Sequence, residues 1–173
     1  MESKTCLIVD DERLILTMIS DCLSNLGYTC TTATSAENAL KILIHSSFDI
    51  MITDIQMAGM TGIELTRDAK QLYPTMPIIV MTGFTEEYSY DEVIEAGAAD
   101  FLKKPFSMKE LDTRVARVIR DMKLMALLKQ KGKDLEEVST LMIAGLQEEA
   151  LKKITTLEEE IRHLKEENYS KKP

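Results

Sequence analysis

Phe48-Asp49-Ile50-Met51-Ile52-Thr53-Asp54 is a short apolar run ending on a carboxylate, and its reading decides the fold. A run of this length without polar alternation reads as a strand buried on both faces, here over 48–53 with Asp54 at its exit. Upstream, a helix from Ser35 to about Ser46 carries Ala39, Leu40 and Leu43 at helical spacing. Downstream, Gly59 and Gly62 bracket a loop, and a helix follows to about Tyr73. Further out the same unit recurs. Cys6-Leu7-Ile8-Val9 is a strand ending in Asp10-Asp11, followed by a helix over 12–26 stopped by Gly27 and a strand over Tyr28–Thr34. On the other side come a strand over Pro77–Thr82, a helix over 87–96 and a strand over 99–103. Lys104-Pro105 then turns the chain, and Ser107 caps a helix reaching 120 or beyond. Strand and helix alternate five times, which predicts an α/β fold: a five-stranded parallel sheet, doubly wound, with right-handed crossovers.

In such sheets the site lies at the carboxyl ends of the strands. Those ends carry Asp10, Asp11, Asp54, Thr82 and Lys104. Three carboxylates on one rim repel, so the site should take up a cation or raise its pKa values. An oxygen-only, incomplete ligand set favours Mg2+. A metal-bound carboxylate facing an ammonium and a hydroxyl suits phosphoryl transfer, and Asp54, alone at a central strand exit, is the expected nucleophile.

The motifs stand in the order of a known family. Leu7-Ile8-Val9-Asp10-Asp11-Glu12, the loop Asp54-Ile55-Gln56-Met57-Ala58-Gly59-Met60-Thr61-Gly62, Met81-Thr82-Gly83 and Ala96-Gly97-Ala98-Ala99-Asp100-Phe101-Leu102-Lys103-Lys104-Pro105-Phe106 resemble the signatures of the response-regulator receiver domain of two-component signalling. The resemblance covers residues 4–120 and implies a flavodoxin-like sheet of order 2-1-3-4-5. It implies that Asp54 accepts a phosphoryl group from a sensor histidine kinase or phosphotransfer protein. Mg2+ would be held by Asp11 directly, by Asp10 nearby or through water, by Asp54 and by the Gln56 backbone carbonyl. Lys104 would pair with the phosphoryl oxygens, Thr82 would move to hydrogen-bond one, and Phe101 would be the aromatic switch. Gln56 and Phe84 occupy positions that tune dephosphorylation, and an apolar Phe84 implies a moderately long-lived phosphoryl state. The family usually has proline where this chain has Ala58, which should loosen the loop without removing a ligand. By this resemblance the chain is a phosphoacceptor switch rather than an enzyme.

The 173 residues carry a net charge of −8 with a pI near 4.9, which argues against a nucleic-acid binder. Residues 1–121 hold 11 Lys+Arg against 19 Asp+Glu, hence the whole −8, while 122–173 hold 10 of each. All prolines but Pro173 also lie in the first segment, so a receiver domain over 1–121 and a helical tail over 122–173 are expected. Three cysteines, an odd number without C-x-x-C spacing, argue against a zinc site or disulfide framework and read as small core or interface residues in a reducing, cytoplasmic setting. No run approaches the roughly 20 apolar residues of a membrane span. His45 reads as structural, and His163 lacks the acidic neighbour and proline of a kinase phosphoacceptor motif.

The tail continues an apolar stripe from Leu124 to Leu164 at near-heptad steps, with Lys131 in one inward slot. Unbroken, that helix would reach about 64 Å. Gly132 before Asp134-Leu135-Glu136-Glu137 reads as a stop and a capping box, and Thr156-Leu157-Glu158-Glu159 repeats the box. A folded-back hairpin thus competes with a parallel coiled coil, and the dimer is favoured. Output is expected through protein contact or a homodimer using the fourth and fifth helices and the tail, with no DNA-binding domain. Competing readings are a receiver piece of a larger kinase or output protein, an aspartyl-phosphate phosphatase or transferase, and a flavodoxin-like cofactor binder. The last two lack, respectively, an acid at Gln56 and a phosphate loop at Asp10-Asp11-Glu12.

Overall fold

The computed structural model describes residues 4–83 and 90–169. The chain divides into two compact units, Met1–Met122 and Lys123–Pro173. In the first, β1 (Lys4–Val9), α1 (Arg13–Asn25), β2 (Tyr28–Ala33), α2 (Ala36–His45), β3 (Ile50–Asp54), α3 (Gly62–Leu72), β4 (Ile78–Thr82), α4 (Tyr90–Glu95) and β5 (Asp100–Lys103) alternate as the pattern demands. All strand pairs are parallel, in the order β2-β1-β3-β4-β5. This is the flavodoxin-like arrangement, with helices around the sheet.

The continuous apolar runs follow from burial on both faces. Because successive side chains point to opposite sides, Leu7, Val9, Met51, Ile78 and Val80 meet Ala39, Leu43, Leu65 and Val93 on one face. Cys6, Ile8, Ile50, Ile52, Ile79 and Met81 meet Leu16, Ile19, Leu23, Leu111 and Val115 on the other. Helix ends sit where the sequence signals lie. Gly27 takes φ 84° after α1, the Ser35 hydroxyl accepts the Asn38 N–H at the start of α2, and Ser107 accepts the Glu110 N–H at 3.1 Å.

Helix α5 (Met108–Ile143) and helix α6 (Gln147–Tyr169) complete the chain. Here the expectation is corrected: the helix does not stop at Gly132, nor does it run unbroken to 164. Asp134 does not cap a new helix, because its carboxylate accepts from Gln130 at 3.0 Å and from Lys131 at 3.5 Å within α5. The Thr156 hydroxyl likewise donates to the Lys152 carbonyl inside α6. The break falls at Gly145, φ 76°, where the Gly145 N–H bonds to Met142 O and the Leu146 N–H to Leu141 O. That is a Schellman closure, which needs a left-handed residue at its centre.

Within the second unit the chain therefore folds back. Lys131 pairs with Glu160 and Lys153 with Glu137 at 3.0 Å, while Ala150 and Leu157 are buried. The folded-back alternative, not the continuous rod, is what forms. Gly145→Ala should destabilise the second unit by about 1 kcal/mol through its left-handed φ, read as a lowered urea midpoint of that unit.

Candidate functional site

Chain order reverses between β1 and β3, so their carboxyl ends open a crevice. Asp54 is the last residue of β3, Asp10 follows β1, Thr82 ends β4 and Lys104 follows β5. Oxygens of Asp10, Asp11 and Asp54 lie within 4.8 Å of one another. The Lys104 Nζ stands 2.9 Å from Asp10 Oδ2 and 3.1 Å from Asp54 Oδ2. Asp10, Asp11, Asp54 and Lys104, from three distant parts of the chain, thus meet on one rim, with Thr82 at the neighbouring strand exit.

Burial differs among the acids, and so does chemistry. Asp10 is fully buried, and its Oδ1 also accepts the Glu12 N–H at 2.8 Å, which fixes the carboxylate. Asp54 is buried, and desolvation pushes its carboxyl up to about 6 against the opposing pull of Lys104. Burial pushes Lys104 down, but the Asp10 hydrogen bond and the Asp54 charge prevail and hold the ammonium above its ordinary value. Asp11 is exposed. An oxygen-only set with one exposed member and a depleted positive balance fits a hard divalent cation that retains waters.

The loop after β3 is held tightly. Thr61 and Glu64 form a reciprocal capping box at the start of α3. A Cβ on Gly62 would lie 1.9 Å from the Asp54 carbonyl oxygen, so only glycine fits against the Asp54 backbone. Sequence reasoning missed Glu37: its Oε1 accepts the Met60 N–H at 3.1 Å and lies against Gly59. The contact spans 23 residues and ties the loop to α2. The Gln56 side chain is exposed and approaches Gly83. Phe84 lies outside the described residues. Phe101 is half-buried on β5, with the Arg114 guanidinium 5.6 Å from its ring centroid. Arg114 and Arg117, also missed, ion-pair with buried Asp100 at 3.0 and 2.7 Å. No local signal in the sequence announces these pairings.

A family model described as the response regulator receiver domain matches residues 6–116. Among curated proteins, the phosphate regulon transcriptional regulatory protein PhoB of Pseudomonas aeruginosa is 38% identical over 122 residues, covering 69% of this chain and 53% of that protein. The chain spans about half the length of PhoB and of a second such relative, PhoP of Bacillus subtilis. Among solved structures, a receiver domain protein from Clostridium thermocellum aligns with TM-score 0.66 and 30% identity, over 70% of this chain and 98% of that one. The response regulator TrrA of Thermotoga maritima, solved in complex with Mg(2+)-BeF, aligns with TM-score 0.61 and 31% identity, over 66% of this chain and 98% of that one.

Proposed function

Because the chain belongs to the response regulator receiver domain family, we propose that it is a phosphorylation switch whose Asp54 accepts a phosphoryl group from the phosphohistidine of a sensor kinase or phosphotransfer protein. The observation that carries this is the meeting of Asp54 with Lys104 at 3.1 Å inside an acidic cluster. An Asp54 oxygen forms the new P–O bond, the P–N bond breaks, and the donor imidazole leaves with the bonding electron pair. Lys104 balances charge on the phosphoryl oxygens, and the buried Thr82 hydroxyl is the donor to one of them. Asp10, Asp11, Asp54 and the Gln56 carbonyl would hold Mg2+, which when bound supplies further neutralisation of that charge. The chain is then a substrate of its kinase rather than an enzyme acting on other molecules.

A phosphoryl group on Asp54 adds negative charge at the rim, so the change is felt by whatever touches Lys104 and Thr82. Phe101 on β5 is the side chain that relays it, toward a face formed by α4, β5 and the start of α5. We infer that output runs by protein contact or dimerisation through that face and the tail, supported by a tail with equal numbers of cationic and acidic residues. A second reading, a receiver piece of a longer regulator, is favoured by one observation: the chain spans only about half of its curated relatives. In either reading the switch meets its donor in the cytoplasm.

Incubation with acetyl phosphate and Mg2+ is expected to add one phosphoryl group, on the peptide containing Asp54 and labile to hydroxylamine. A hydroxylamine-stable adduct, or none, would overturn the reading.

A further inference from the structure

All three cysteines gather on one side of the sheet, Cys6 and Cys30 on strands beneath α1 and Cys22 on α1 itself. Cys6 on β1 and Cys30 on β2 are direct partners in the parallel register, so their side chains leave the sheet on the same face. Neighbouring strands lie about 4.8 Å apart, inside the ~4.4–6.8 Å Cα separation that a disulfide bridges. The two neighbouring side chains perturb each other's ionisation in opposite directions, Cys6 upward and Cys30 downward. β2 is an edge strand and Cys30 is only partly buried, whereas Cys6 has no exposed surface. Cys22, on α1, is the third member and contacts the Met108 carbonyl at 4.0 Å.

We propose that Cys30 is a peroxide-sensitive modification site that closes a reversible disulfide with Cys6. The Cys30 thiolate attacks one peroxide oxygen, the O–O bond breaks, and hydroxide or alkoxide leaves, giving a sulfenic acid. The Cys6 sulfur then attacks the Cys30 sulfur; the S–S bond forms, the S–O bond breaks, and the Cys6 proton leaves with the hydroxyl as water. Overall two thiols lose two electrons and the peroxide gains them. The chemistry of the pair supports the order of events. Hydrogen bonding from Cys6, then from Ser24 and Ser20, pulls the Cys30 thiol down to about 6 despite its burial, while the bond to Cys30 and burial push Cys6 well up. Cys30 is thus the accessible nucleophile and Cys6 the adjacent resolving thiol. The bridge would join the edge strand to β1 about 13 Å along the strand from Asp10, at roughly 3.3 Å per residue, so it leaves the phosphoacceptor rim alone.

The full chain is treated with one equivalent of hydrogen peroxide, alkylated with iodoacetamide in denaturant and mapped by mass spectrometry. The expected product joins the Cys6 and Cys30 peptides, is reversed by dithiothreitol, persists in Cys22→Ser and is lost in Cys30→Ser. Native alkylation at pH 7 should label Cys30 at least about tenfold faster than Cys22. Cys30→Ser should still take up phosphoryl from acetyl phosphate at the wild-type rate, which separates this site from Asp54. Recovery of Cys30 as a free thiol or sulfinic acid, or its linkage to Cys22, would overturn the proposal. In Cys6→Ala a dimedone adduct should accumulate on Cys30; if that buried substitution prevents folding, the wild-type peptide map decides alone.

Discussion

In Asp54→Asn, phosphoryl uptake from acetyl phosphate should fall to background, at least a hundredfold below wild type, while the metal-free fold becomes more stable. Both effects come from one carboxylate. The amide offers no anionic oxygen to attack phosphorus, and no other acid on the rim has the same exit from a central strand. The stability gain follows from linkage. Burial pushes the Asp54 carboxyl from 3.8 to about 6 in the folded state. A folded value above the unfolded one contributes stability that is present below about pH 4 and is lost as pH rises through 6. Above pH 6 the wild type therefore carries the cost of an ionised, desolvated Asp54, on the order of 2 kcal/mol. The amide never ionises. Thermal melts in EDTA should show Asp54→Asn above wild type at pH 7.5 and no different near pH 4. Millimolar Mg2+ should narrow the gap at pH 7.5, because the cation stabilises the wild-type carboxylate more than the amide. Equal melting temperatures in EDTA at both pH values would reject the electrostatic account, and retained uptake would reject the nucleophile.

Much of the rim was legible because its chemistry is local. Each carboxylate follows an apolar run, and a buried strand has one exit, so Asp10 and Asp54 could be placed at the same end of the sheet before their distance was known. The alternation of elements then supplied the neighbours. What could not be read is what depends on pairing between distant side chains. Glu37 looks like an ordinary first-turn acid of α2, yet it grips the Met60 N–H across 23 residues. Arg114 and Arg117 look like solvated helix cations, yet both balance Asp100, and Arg114 also lies over the Phe101 ring. The tail shows the same limit in another form. Gly132 and Gly145 are both glycines on a charged helix, and only Gly145 can place a hydrophobic residue, Leu146, where the Schellman closure needs it. Gly132 stays helical, at the ~1 kcal/mol that glycine costs, because Asp134 is already bonded within its own helix.

Lys104→Met should destabilise the metal-free protein by about 3 kcal/mol at pH 7.5, and added divalent cation should restore most of the loss. Methionine keeps the length and apolar stem of the side chain but removes the charge that stands 2.9 Å from Asp10 and 3.1 Å from Asp54. Asp10 is fully buried and Asp54 nearly so. Removing one member of a buried ionic group leaves the other uncompensated, which costs more than the group itself contributes. Here two carboxylates would be left facing each other, so one must take up a proton. The loss should therefore shrink as pH falls toward 5, where that protonation is inexpensive. Mg2+ would reverse it by a different route, since a cation among Asp10, Asp11 and Asp54 replaces the missing ammonium. Uptake of phosphoryl from acetyl phosphate should still drop about ten- to a hundredfold at saturating Mg2+, because in the proposed transfer Lys104 would neutralise an oxygen of the phosphoryl group as well as the resting acids. The two readouts separate the roles. Stability restored by Mg2+ with uptake still impaired is the expected pattern. Full recovery of both would reduce Lys104 to a counter-ion, and an unchanged urea midpoint in EDTA would mean that the buried carboxylates do not depend on it.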